Sequence, residues 1–218
     1  MYRRHFIAGA LALTAMLSAF GVGHAQNKPA KTILVVGDSL SAEYGLPRGT
    51  GWVALMEKRL ASEKIAAKVV NASISGDTTS GGVSRLGALL KQHKPSHVVI
   101  ELGGNDALRG LPLQMTEDNL TQMASTALKA GARVLLVGMQ LPPNYGANYG
   151  QRFADTFASV AKTQKTGLVP FLLKGVADGP DADRMTEKMF QNDRIHPKAE
   201  AHPIILANVW PELQKLLR

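Results

Sequence analysis

Four short apolar runs, separated by longer amphipathic segments, limit the folds open to this chain more than any other feature. They are "TILVVG" (32–37), "AKVVNA" (67–72), "HVVIEL" (97–102) and "ARVLLVG" (132–138). Consecutive β-branched and aliphatic residues of this length read as strands buried on both faces, the pattern of a parallel sheet covered by helices. "GLVPFL" (167–172) is a weaker fifth candidate, because Pro170 confines it to an edge or a strand end. Between the runs the periodicity is helical. Trp52, Val53, Met56 and Leu60 share a face in a segment from about Gly49 to Ser62, and Leu86, Leu89 and Leu90 do so before Pro95. Leu120, Met123, Ala124, Ala127 and Leu128 form a third stripe, which Gly131 ends; Phe153, Phe157 and Val160 form a fourth. Leu206, Val209, Trp210, Leu213 and Leu217 line a last helix that Pro211 is expected to kink. Strands alternating with helices predict a three-layer α/β/α sandwich with a mainly parallel five-stranded sheet and right-handed crossovers.

The first 25 residues read as a secretory signal peptide, with a basic "MYRRHF", an apolar "IAGALALTAMLSAFGV" and a small-residue "GHA" before the cleavage point. Cleavage after Ala25 leaves a single domain, 26–218, bound for the periplasm or beyond. A retained N-terminal anchor is the alternative, although the apolar run falls short of the roughly 20 residues of a bilayer span. "RRHFI" leaves the general and twin-arginine export routes both open.

The chain has no cysteine, which excludes disulfides and thiol chemistry. Its formal charge of +8 includes Arg3 and Arg4 of the leader. The remaining basic residues are scattered singly, without the runs that track a nucleic-acid backbone, so no nucleic-acid partner is expected. Membrane-surface association is expected to be weak at most.

In an open parallel sheet, ligands bind beyond the carboxyl ends of the strands, so the four following loops are read together. They contain "GDSLS", "SISGDTTSGG", "GGNDALRGL" and "MQLPPNYG". Ser39, after the first strand, is either a turn residue or a nucleophile in need of a base, an orienting acid and oxyanion donors. His93 and His97 flank Pro95 on the opposite rim and read as surface residues, and His202 before Pro203 reads as a surface or capping residue. His196 differs, because Asp193 precedes it by three residues in "NDRIHP". In a tight turn that spacing lets a carboxylate accept from imidazole Nδ1–H while Nε2 faces a serine, although an Asp–His structural turn fits the pattern too. Asn105 and Gly76 read as turn residues or as oxyanion donors.

In order along the chain, "GDSLS", "NASISGDTTSGG", "LGGNDALRGL" and "DRIHP" resemble the SGNH, or GDSL, hydrolase superfamily, closest to its exported arylesterase and acyl-CoA thioesterase–lysophospholipase subgroup. The resemblance covers essentially all of 26–218. It implies a flavodoxin-like sandwich, Ser39 as nucleophile, His196 as general base and Asp193 as its orienting acid. It also implies an oxyanion hole formed by the Ser39 and Gly76 amides and the Asn105 side chain, and no metal or organic cofactor. Asp38 and Asp77 match no proton-transfer role and are expected to fix loops as acceptors.

The expected substrate is a small or lipid-like ester, of aryl or short- to medium-chain acyl type, with thioesters and lysophospholipids as further candidates. Leu40, Leu108, Leu111, Leu141, Pro142, Pro143 and Tyr145 are the apolar candidates for lining its groove, and the glycines of "NYGANYG" (144–150) suggest a flexible loop beside it. The chain is expected to be a monomer. Two other readings stay open: a carbohydrate or cell-wall O-acetyl esterase on the same scaffold, and a non-catalytic exported binding protein. A dinucleotide site is disfavoured, because "GDSLSAEYG" lacks the G-x-G-x-x-G spacing.

Overall fold

The computed structural model describes residues 31–178 and 187–218, so the expected leader lies outside the described residues. Five strands appear where apolar runs were read: β1 (Lys31–Gly37), β2 (Ala67–Asn71), β3 (His97–Glu101), β4 (Arg133–Val137) and β5 (Gly167–Val169). All neighbours pair in parallel, in the order β2-β1-β3-β4-β5. The helices are α1 (Trp52–Ser62), α2 (Thr79–His93), α3 (Gly104–Leu108), α4 (Leu113–Lys129), α5 (Ala147–Gln164) and α6 (His202–Leu217).

Side-chain alternation along β1 explains the three layers. Ile33 and Val35 enter one core with Trp52, Met56 and Leu60 of α1 and with Ile205, Val209 and Leu213 of α6. Leu34 and Val36 enter the other, against Leu86 of α2, Leu120 and Met123 of α4, and Phe153 and Phe157 of α5. Burying each such side chain contributes roughly 1.5–3 kcal/mol, so these four consecutive residues commit β1 to the centre of the sheet. The chain leaves β1 toward β2 on one side, while β3 lies on the other. The carboxyl ends of β1 and β3 are thus a topological switch point, where ligands bind in open α/β sheets.

Several expectations need correction. β2 is an edge strand whose Lys68 and Asn71 are exposed, so it is not buried on both faces. The first helix starts at Trp52 rather than near Gly49, because the Glu43 carboxylate accepts the amides of Gly49 and Gly51 and keeps that segment a loop. Residues Ala147 to Gly150 of the expected flexible loop form the first turn of α5. His97 and His202 are buried, not surface residues. His97 bonds Ser96 Oγ and the Leu216 carbonyl, and His202 Nδ1 accepts the Trp52 amide at 3.0 Å, capping α1 rather than its own helix. The last helix runs on through Pro211 to Leu217. β5 does lie at the edge, ending just before Pro170.

Candidate active site

The turn after β1 places Ser39. Asp38 Oδ1 accepts the Leu40 amide at 3.0 Å, and the Asp38 carbonyl accepts the amides of Ser41 and Ala42, so the chain reverses around Ser39 and lifts its hydroxyl onto the rim. His196 arrives from the loop before α6, 157 residues later, with its Nε2 2.8 Å from Ser39 Oγ.

The D-x-x-H spacing works through one carboxylate with two tasks. Asp193 Oδ1 accepts the amides of Ile195 (2.9 Å) and His196 (3.0 Å), closing a turn in which Arg194 takes a left-handed φ of 57°. Asp193 Oδ2 lies 2.7 Å from His196 Nδ1. Partial burial alone would raise the Asp193 pKa, but the bonds from His196 and Ile195 outweigh it and hold the carboxyl below its ordinary range. An ionised Asp193 requires the proton on Nδ1, which leaves Nε2 to accept from the serine hydroxyl.

Around Ser39 the loops after β2 and β3 converge. Among the described residues, the amides of Ser39 and Gly76 donate to no protein acceptor. Gly76 has a φ of +78°, a left-handed conformation that favours glycine, and its carbonyl accepts from Arg109 at 2.8 Å. Asn105 sits at the start of α3, where Nδ2 donates to Asp38 Oδ2 (3.0 Å) and to the Asp77 carbonyl (2.9 Å). Both hydrogens of its amide are thus engaged in the free site. Asp77 in turn accepts the Thr78 amide and pairs with Arg85 at 2.8 Å, and Arg85 also reaches the carbonyls of Ala72 and Gly37. Asp38 and Asp77 therefore fix loops, as their sequence context suggested.

The substrate-side candidates divide. Leu108 and Tyr145 stand exposed on the rim, as does Pro142, whereas Leu141 is half-buried against the α4–α5 core. Leu40 is a correction: it is buried in the core beneath α1 and α6, so its apolar surface goes to packing rather than to a groove. Sequence reasoning missed four neighbours. The Tyr44 ring lies against His196, with centroids 4.3 Å apart and planes at 38°. Gln191 Nε2 ties the loops together through the Tyr44 and Pro197 carbonyls. Ile74 and Ile195 complete a set, because all five exposed large hydrophobic residues among those described (Tyr44, Ile74, Leu108, Tyr145 and Ile195) belong to the segments between the strands and the long helices. An exposed residue pattern of this kind leaves no periodic trace in a sequence. Among the described residues no cluster of His, Cys, Asp or Glu forms a metal-binding group.

Residues 35–204 match the model of the GDSL-like Lipase/Acylhydrolase family. The chain belongs to that family. Esterase TesA of Pseudomonas aeruginosa is 49% identical over 215 residues, which is 99% of this chain and 100% of the relative. An arylesterase of Vibrio mimicus is 40% identical over 88% of this chain and 93% of its own. Thioesterase 1/protease 1/lysophospholipase L1 of Escherichia coli K12 is 42% identical over 86% of each. The crystal structure of TesA superposes with a TM-score of 0.80 at 53% identity, covering 85% of this chain and 99% of the other. This SGNH-type sandwich is accordingly a carboxylic ester hydrolase.

Proposed function

We propose that the protein hydrolyses aryl and short- to medium-chain acyl esters, with thioesters and lysophospholipids within its range, by way of an acyl-Ser39 intermediate. The observation that carries this reading is the continuous Asp193–His196–Ser39 relay, with contacts of 2.7 and 2.8 Å. His196 Nε2 takes the Ser39 proton as Oγ bonds to the substrate carbonyl carbon, and Asp193 steadies the imidazolium that forms. The oxyanion is received by the amides of Ser39 and Gly76, and by Asn105 once its amide exchanges one of its two resting acceptors for the substrate oxygen. His196 then protonates the departing alcohol or thiol, and a water activated by the same imidazole releases the acid.

The apolar rim supports acyl or aryl substrates over highly polar ones, since Tyr44, Ile74, Leu108, Tyr145 and Ile195 are exposed and the Tyr44 ring lies against His196. The names of the Vibrio and Escherichia relatives point to the same substrate classes. Export to the periplasm after cleavage near Ala25 belongs to the proposal. It is supported by the leader pattern and by the match to esterase TesA, which spans 99% of this chain and so includes that segment. The protein is proposed to act as a monomer with weak membrane-surface contact at most.

Ser39→Ala is expected to lower kcat on a p-nitrophenyl ester by roughly four to six orders of magnitude while circular dichroism and melting temperature stay close to wild type. Near-wild-type turnover by that variant would contradict the scheme. Rates on a graded series of aryl esters, acyl thioesters, lysophospholipids and acetylated xylan test the substrate range. Activity confined to the acetylated polymer would favour the O-acetyl esterase reading.

A further inference from the structure

Two buried carboxyl groups, Asp38 and Glu101, lie under the nucleophile turn, and the reaction uses neither for proton transfer. Glu101 ends β3 and is 4% exposed; Asp38 follows β1 and is 2% exposed. Glu101 Oε2 accepts from Ser41 Oγ at 2.7 Å and lies 3.4 Å from the Asp38 amide. Sheet pairing sets Glu101 opposite Gly37, and with Oε2 at 3.4 Å from the Asp38 amide this places the two carboxyl groups side by side. Packing here is close enough to require glycine at position 37, where an added Cβ would stand 2.8 Å from Ser41 Oγ and 2.9 Å from Glu101 Oε2.

Among the described residues neither carboxyl forms an ion pair with Lys or Arg. Arg85, on α2, reaches the Gly37 carbonyl but pairs with Asp77. From α3, Asn105 offers a neutral amide to Asp38 while Asp106 turns away to Thr79. His196 is the remaining titratable group that acts on Asp38. Two adjacent carboxylates that have no Lys or Arg counter-ion among the described residues cannot both ionise in a low-dielectric site, so the pair retains a proton. The charge belongs on Asp38, which collects N–H donors from Leu40 and Asn105, whereas Glu101 receives chiefly one hydroxyl. Burial pushes both groups upward, Asp38 to about 6; Glu101 rises well above its ordinary range and is raised further by the charge on Asp38.

We propose that Glu101 is a neutral carboxylic acid that donates its proton to Asp38 and accepts from Ser41, and that this shared-proton pair holds Ser39 and Asn105 in register. Glu101 is thus a positioning residue: it acts through Asp38, whose two oxygens grip the nucleophile turn on one side and the Asn105 amide on the other. The role rests on the assignment of Ser39 and Asn105 above, but the proton on Glu101 does not.

The test combines infrared spectroscopy with kinetics on Glu101→Gln and Glu101→Met. At neutral pH the wild type should show the carbonyl band of a protonated carboxyl group, and Glu101→Gln should lack it. Glu101→Gln, which can still donate to Asp38 and accept from Ser41, should keep kcat within about threefold; Glu101→Met should lose about tenfold or more in kcat with KM little changed. Absence of the band from the wild type, or its persistence in Glu101→Gln, would overturn the proposal. So would a Gln variant as impaired as the Met variant, or a Met variant as active as wild type. Should Glu101→Met fail to fold, the band and the Gln variant decide the matter. If Ser39→Ala stayed active, the reaction scheme would fail while the infrared band still reported the proton on Glu101.

Discussion

Two serine–histidine pairs stand at opposite ends of the same sheet, each with a contact of 2.8 Å, and they serve different ends. At the carboxyl ends of the strands, His196 Nε2 meets Ser39; at the amino ends, His97 Nδ1 meets Ser96. His196 has a carboxylate on its other nitrogen and a partly exposed serine before it. The second nitrogen of His97 bonds the Leu216 carbonyl instead, and Ser96 accepts from the Thr32 amide while lying within bonding distance of its carbonyl. Lys31 and Arg133 also donate to the last carbonyls of α6, so the amino-end rim caps a helix C-terminus, where positive charge is favoured. A hydrogen bond between serine and histidine is therefore not a catalytic site. What separates the two pairs is the acid behind the imidazole and the free amides of Ser39 and Gly76 in front of the hydroxyl.

That contrast is open to direct attack. After Ser39→Ala, Asp193→Asn should give the largest change, lowering kcat roughly 10³–10⁴-fold because the imidazole loses its tautomeric bias and the charge that steadies its protonated form. Asn105→Ala should lower kcat roughly 10²–10³-fold, the loss typical of one oxyanion donor, with KM less affected. An effect below about threefold would remove Asn105 from the hole. Ser96→Ala should leave ester turnover unchanged and lower unfolding free energy by about 1 kcal/mol in a urea titration, as fits one net buried hydrogen bond.

The smallest effect concerns pH. Burial holds His97 below the ordinary imidazole range; the Leu216 carbonyl opposes this, and Arg133 and Lys31 add to it. As pH falls below about 6.5 the unfolded chain takes up this proton before the folded one, so stability from neutral His97 is full above that pH and is lost on acidification. His97→Gln should thus show a shallower fall of melting temperature between pH 7 and pH 5 than wild type, by a few degrees at most. A slope equal to wild type would show that His97 does not titrate in this range.

The same contrast explains what was legible in the sequence. β1, β3 and β4 read correctly because burial on both faces writes an unbroken apolar run, and the helices did because one buried stripe writes a 3.6-residue period. The blocks around Ser39, Gly76, Asn105, Asp193 and His196 were visible because each is a local pattern of small and polar residues. His97 and His202 were misread because the groups that bury them, the Leu216 carbonyl and the Trp52 amide, lie 119 and 150 residues away. Glu101 sat unnoticed inside "HVVIEL", since one acid at a strand end says little until sheet pairing sets it opposite Gly37 and beside Asp38. Leu40 was read as a rim residue from its neighbourhood to Ser39, yet the reversal that exposes one side chain turns the next into the core.

The most direct test of the contrast is covalent. A fluorophosphonate applied to the folded protein, followed by peptide mass spectrometry, should give one adduct, on Ser39, with Ser96 unmodified and no labelling of Ser39→Ala. An adduct on Ser96, or labelling that survives in Ser39→Ala, would contradict the assignment of the carboxyl-end pair as the catalytic one.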